Sequence, residues 1–220
     1  MIGIKSMEVE KNIVISIESP WKLYNEVVRF LCYPLARLQF ALAGIKWGNN
    51  WKIYGLPILQ ITRGSKVSIA DNLELRSTKL SNPLSPFHPV FISTRSPQAK
   101  LKIGHNFSMT GGSLVAAKKI SIGDQVMIGA NCLITDTDFH PLDSQQRKEQ
   151  PQAGKKAAIK IGNDVFIGTQ AILLKGSQIA AKSVIGARAV VTKKFVKKST
   201  LIGNPAKILK PINEIQKKIS

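Results

Sequence analysis

At 220 residues with 44% hydrophobic side chains, the chain can bury the core of one domain plus a small extension, which excludes a disordered protein. Two cysteines, Cys32 and Cys132, cannot build a disulfide framework, and charges scattered through the first twenty residues leave no apolar signal core, so a cytoplasmic protein is expected. A formal net charge of +19 calls for an anionic partner or surface, yet no zinc-finger spacing, RNP-like aromatic motif or heptad-backed basic region accompanies it, and nucleic acid is not expected.

The first predicted element is a helix over about 20–43, in SPWKLYNEVVRFLCYPLARLQFALAG, with an N-cap-like Ser19, Pro20 at the first helical position and apolar residues spaced by three and four. Arg29, Pro34 and Arg37 interrupt its apolar run, which makes it a poor membrane span. Two settings suit it. It packs against the rest of the protein or a neighbouring subunit, or it lies as a basic amphipathic helix at the inner face of an anionic membrane, which would make the protein peripheral there. Residues 1–58 are assigned to this N-terminal extension, 59–210 to the main domain and 211–220 to a basic tail.

The main domain carries a repeat. From Ile161 an aliphatic residue recurs at every sixth position: Ile161, Ile167, Leu173, Ile179, Ile185 and Val191. A period of six matches neither a helix nor a strand, so these side chains cannot share one face of either. A coil of three short flat strands satisfies it, with every sixth side chain pointing into a triangular core and three hexads per turn. Ile161 should stack on Ile179, Ile167 on Ile185 and Leu173 on Val191. The fifth position of each hexad (Val165, Ala171, Ser177, Ser183, Ala189) is small or β-branched, as a tight corner requires, with Phe195 the exception near the end. The period starts faintly at Ile69 and Leu75, continues through Ile103, Met109 and Val115, and resumes after a one-residue slip at Ile122, Ile128 and Ile134. Between Ile134 and Ile161 the register breaks, and the polar segment PLDSQQRKEQPQAGKKAA predicts a loop excursion near 140–158.

These hexads resemble the bacterial hexapeptide-repeat acyltransferases, and the resemblance implies an all-β left-handed parallel β-helix over roughly residues 60–210. The stretch IGANCLITDTDFHPLDSQQR is similar to the active-site segment of the sugar O-acetyltransferases related to the galactoside, maltose and nodulation enzymes, and more closely to those of exopolysaccharide and O-antigen clusters. That likeness implies acetyl transfer from acetyl-CoA to a sugar hydroxyl, with His140, before Pro141, as general base. Asp136 and Asp138 share parity with His140, and either would orient its ring if the segment were extended. Asn131 is a further candidate, while the family's acceptor-binding Asn one coil earlier is replaced in FSMTGG. The family match puts Gly129, Thr169, Ala187, Thr192 and Lys193 on the donor, with the Thr169 N–H serving the oxyanion, while Lys207 and Lys210 of GNPAKILK replace the arginines often seen near the nucleotide phosphates.

His88 and His105 have no such context. Cys132 sits at a hexad corner, and no G-x-S-x-G elbow exists, so direct attack in a ternary complex is expected rather than an acyl-enzyme. The family's active site is shared between subunits, which implies a homotrimer, and no metal is expected. The alternatives are an N-acetyltransferase of an amino sugar nucleotide, a γ-class carbonic anhydrase-like protein, which would need three metal-binding histidines, and a scaffold with a degenerate site.

Overall fold

The computed structural model describes residues 19–209. Lys210 and the tail 211–220 therefore lie outside the described residues, as does the start of the N-terminal extension.

Helix α1 (Pro20–Leu42) begins with proline at its first turn, where no intrahelical N–H is needed, and closes at Ala43 ahead of Gly44 in the left-handed conformation. It packs through Asn25, Ala36 and Phe40 onto the start of the main domain, where Phe40 meets Trp47 and Trp51 edge to face. Much of its surface stays open, including Phe30, Leu31, Leu38 and Leu42. Among the described residues no helix is long and apolar enough to cross a membrane.

From there the chain winds into a three-sided parallel β-helix. The first coil is β1 (Lys52–Tyr54), β2 (Ile58–Gln60) and β3 (Lys66–Ile69); the second is β4 (Glu74–Arg76), β5 (Phe91–Thr94) and β6 (Lys100–Ile103). The third is β7 (Ser108–Thr110), β8 (Ser113–Ala116) and β9 (Lys119–Ile122), and the fourth β10 (Met127–Ile128), β11 (Leu133–Thr135) and β12 (Ile159–Ile161). Two short coils follow, β13 (Phe166–Ile167), β14 (Ile172–Leu173) and β15 (Gln178–Ile179), then β16 (Val184–Ile185), β17 (Val190–Val191) and β18 (Lys194–Phe195). The stack ends on β19 (Thr200–Ile202), with β20 (Lys207–Ile208) folding back antiparallel beside it. The first strand of every coil joins sheet A, the second sheet B and the third sheet C. The first coil thus starts at Lys52, ahead of the boundary at 58 expected from sequence, because KIY is too short to show a hexad.

The expected ladders form. Ile161 pairs with Ile179, Ile167 with Ile185 and Leu173 with Val191, and all six are buried. The corner residues Val165, Ala171, Ser177, Ser183 and Ala189 are buried as well, each preceded at the turn by a residue that can bend sharply; Asp164, Gln170, Lys182 and Arg188 adopt positive φ there. One register differs. Leu114, not Val115, occupies the core rung under Ile134, and Val115 faces outward, because the corner Gly111–Gly112 is one residue shorter than a hexad allows. Both glycines have positive φ, and a Cβ on Gly112 would lie 2.3 Å from the Cys132 carbonyl oxygen.

Candidate active site

The excursion leaves where β11 would turn the corner into sheet C. It is anchored at its base by the antiparallel bridge Thr137 to Lys156 and by the Ala157 N–H donating to the Asp136 carbonyl. Its polar segment includes a short helix α2 (Ser144–Glu149), capped by the Asp143 side chain accepting from the Gln146 N–H. Periodicity predicts only a loop here, because α2 buries no side chain.

His140 stands exposed on the near limb of this excursion. Its Nδ1 lies 2.6 Å from the Pro151 carbonyl oxygen. A carbonyl only accepts, so Nδ1 carries the proton and donates, and in the neutral ring Nε2 is the acceptor. The backbone is fixed too: the His140 N–H donates to the Asp138 carbonyl at 2.7 Å, and Phe139 just before it has φ +63°. Gly154, on the returning limb, is buried against this turn. A Cβ there would stand 2.5 Å from the Phe139 carbonyl carbon and 2.7 Å from the His140 nitrogen. Neither Pro151 nor Gly154 was among the residues picked out by sequence.

The carboxylates do other work than the shared parity suggested. Strand β11 ends at Thr135, and the chain then turns, so Asp136, Asp138 and His140 do not line one side of an extended segment. Asp136 is fully buried and accepts from the Ala117, Lys118 and Lys119 N–H groups, which fixes the preceding coil's turn. Asp138 pairs through Oδ1 with Lys175 Nζ at 2.7 Å, leaving Oδ2 buried without a partner among the described residues. The ring of His140 is oriented by a backbone carbonyl rather than by either carboxylate. Asn131 accepts from the Phe87 N–H at 2.7 Å, and so ties the segment around 82–90 to the corner between sheets A and B.

Between that segment and Phe139 lies a cleft of about 500 Å³ on the outer face of sheet B, lined among others by Gln60, His88, Phe91, Ser93, Arg95 and Val115. Ser93 is only 1% exposed, and its hydroxyl has no partner among the described residues. His88 thus borders the same cleft as the residue beside His140, a placement that SPFHPV does not signal. His105 is elsewhere, at the corner between sheets C and A, where its N–H donates to Asp124. Burial pushes the Cys132 thiol up to about 11, so it is a neutral packing group and not a nucleophile.

The proposed donor positions fall on two edges of the prism. Gly129, Thr169 and Ala187 stack along the corner from sheet A to sheet B, Thr169 donating its hydroxyl to the Ala130 carbonyl. A Cβ on Gly129 would press 2.7 Å from the Thr169 nitrogen, so glycine keeps that N–H approachable. Thr192 and Lys193 lie at the corner from B to C, one coil beyond Lys175, and Lys207 is exposed on β20.

A family model described as the hexapeptide repeat of succinyl-transferase matches residues 119–135 and 158–193, on both sides of the excursion. The chain carries the hexapeptide repeat of that model over these two segments. It is 37% identical over 109 residues to the galactoside O-acetyltransferase of Lactococcus lactis, covering 50% of each chain, and 32% identical over 130 residues to that of Escherichia coli K12, covering 59% of this chain and 61% of the relative. A probable acetyltransferase of Mycobacterium tuberculosis is 35% identical over 195 residues, 87% of this chain and 58% of its own length. The chain thus spans between half and about three-fifths of the length of these relatives. Among solved structures, a polysialic acid O-acetyltransferase superposes with a TM-score of 0.62 at 28% identity, over 76% of this chain and 73% of that one. A galactoside acetyltransferase in complex with coenzyme A gives 0.52 at 26% identity, over 70% and 68%.

Proposed function

We propose that the protein is a cytoplasmic acetyl-CoA-dependent O-acetyltransferase of sugar hydroxyls, with a left-handed β-helix, and that it serves surface-polysaccharide biosynthesis. The observation that carries this reading is the contact of His140 Nδ1 with the Pro151 carbonyl. With Nδ1 committed to the Pro151 carbonyl, Nε2 of the neutral ring is the free acceptor on an exposed side chain that follows Phe139, a residue lining the open cleft. A sugar hydroxyl is a weak nucleophile at neutral pH, and an imidazole titrating near that pH is the base it needs. His140 Nε2 takes the hydroxyl proton as the oxygen forms a bond to the thioester carbonyl. The Thr169 N–H faces the resulting oxyanion, the carbon–sulfur bond breaks, and the imidazolium returns its proton to the CoA thiolate. The elevated Cys132 thiol supports direct transfer over an acyl-enzyme.

The residues fit a CoA donor in one respect only if a second copy is present. Gly129, Thr169 and Ala187 lie on a different edge from Thr192, Lys193 and the His140 excursion, so a single donor touches both sets where one subunit's edge meets the next subunit's. The exposed apolar row Met127, Phe166 and Val184 on sheet A supports a homotrimer that covers it. Lys193 and Lys207 then supply positive charge for the donor's phosphates, as point charges without a bidentate fork. The cleft beside Phe139 is the seat of the acceptor, with Ser93, Gln60 and Arg95 as its polar contacts. The polysaccharide setting is supported by the likeness to a polysialic acid O-acetyltransferase.

The test is CoA release from acetyl-CoA against a panel of neutral, acidic and amino sugars. Release with sugars that offer only hydroxyls is expected. Release confined to amino sugars would replace this reading with N-acetyl transfer, and no release with any acceptor would overturn it.

A further inference from the structure

The three sides of the prism are chemically unlike. Sheet A shows an apolar row, sheet B holds the cleft, and sheet C shows lysine. On the outer face of sheet C, Lys66, Lys100 and Lys119 sit directly opposite one another on three adjacent strands. A second row runs Ser68, Lys102, Ser121, Lys160, Gln178, Lys194, with lysine on every other strand. All six lysines are exposed, none is in an ion pair among the described residues, and neither Asp nor Glu occurs in either row.

Folding does not account for this face. Like charges directly opposite on neighbouring strands, about 4.8 Å apart, destabilise a sheet, and the core needs nothing from outward positions. Solubility alone is served by interspersed signs rather than by a single-sign ladder. Both rows run along the prism axis, the longer over six strands, about 24 Å. We propose that the outer face of sheet C is a docking rail for a linear acidic glycan laid along that axis.

The chemistry selects among polyanions. Outward positions of sheet C carry no aromatic residue, so there is no stacking platform for single-stranded nucleic acid bases. They carry no apolar residue either, so nothing would insert into a bilayer. Lysines meet carboxylates as point charges without a fixed docking geometry, and the interleaved Ser68, Ser121 and Gln178 offer hydrogen bonds to hydroxyls. The choice of a glycan rests on the sugar-acceptor reading above; the anionic partner does not. Such a rail would hold a polymeric acceptor against the subunit while one sugar unit enters the cleft, and raise the local concentration of units there.

The experiment compares the full chain with the triple variants Lys100→Gln/Lys102→Gln/Lys160→Gln and Lys100→Glu/Lys102→Glu/Lys160→Glu, each checked for an unchanged thermal midpoint. The milder Gln set stands if the Glu set fails to fold. Binding is measured to polygalacturonate, dextran, a DNA duplex and phosphatidylglycerol vesicles at two salt concentrations. The wild type should bind polygalacturonate and not dextran, more weakly at high salt, and the Gln set should lose about tenfold, the size of three exposed charge contacts. Acetylation of a small sugar should be unchanged. Polygalacturonate binding that ignores the substitutions overturns the rail, as does tighter lysine-dependent binding of DNA or vesicles. Lysine-dependent glycan binding without acetylation of any sugar would sink the acceptor reading and leave the rail standing.

Discussion

His140 is positioned by backbone: the Pro151 carbonyl on its ring, the Asp138 carbonyl on its N–H and the absent side chain of Gly154 behind it. Gly154→Ala should therefore push the Phe139–His140 turn outward and lower kcat about 100-fold, as expected for an ångström-scale misplacement of a reacting group, with the KM for acetyl-CoA little changed. Steady-state kinetics beside a thermal melt check this, and wild-type kcat in a folded variant would contradict it. The candidate base His140 stands out in the sequence because DTDFHP is a side-chain pattern. Its supports do not, since a carbonyl and a missing Cβ leave no residue-type signal. Asp136 misled for a related reason. Parity assumes an extended chain, and three N–H groups of the previous coil instead draw that carboxylate into the interior.

At the scale of elements, the hexads fixed strand order and core rungs wherever the repeat kept its length, as from Ile161 to Val191. They failed at Gly111–Gly112, where a corner one residue short moves the core rung to Leu114, and in the excursion, where α2 has no buried face for periodicity to reveal. Helix α1 was legible from its caps, but its attachment was not. The Tyr54 hydroxyl donates to Glu26 at 2.8 Å and so ties β1 to α1. Burial, together with that bond to Glu26, pushes the Tyr54 phenol up to about 12 from an ordinary 10.0. A phenol that ionises later in the folded chain than in the unfolded one adds stability that is complete below pH 10 and lost as pH rises toward 12. Tyr54→Phe should cost about 1 kcal/mol at neutral pH in denaturant unfolding, and the gap to wild type should close between pH 10 and 12. A gap that widened with pH would show that the contact is not made.

For the whole molecule, a repeat of identical coils leaves sides that only assembly or a partner can use. Sheet A's exposed Phe166 and Met127 predict a trimer in sedimentation, and Phe166→Glu should yield folded monomers without activity, because the two donor edges then never meet. An active monomer would contradict the shared site. The net charge was visible in the sequence, but its collection on one sheet was not, because neighbours across coils are not neighbours in the chain. The proposed chemistry turns on one base, and His140→Ala tests it most directly, read as single-turnover acetyl transfer with His105→Ala as the distant control. A trimer of unchanged donor affinity with turnover lowered about 100- to 10,000-fold, and a control at wild-type rate, is the predicted result. His140→Ala at near wild-type rate would contradict it.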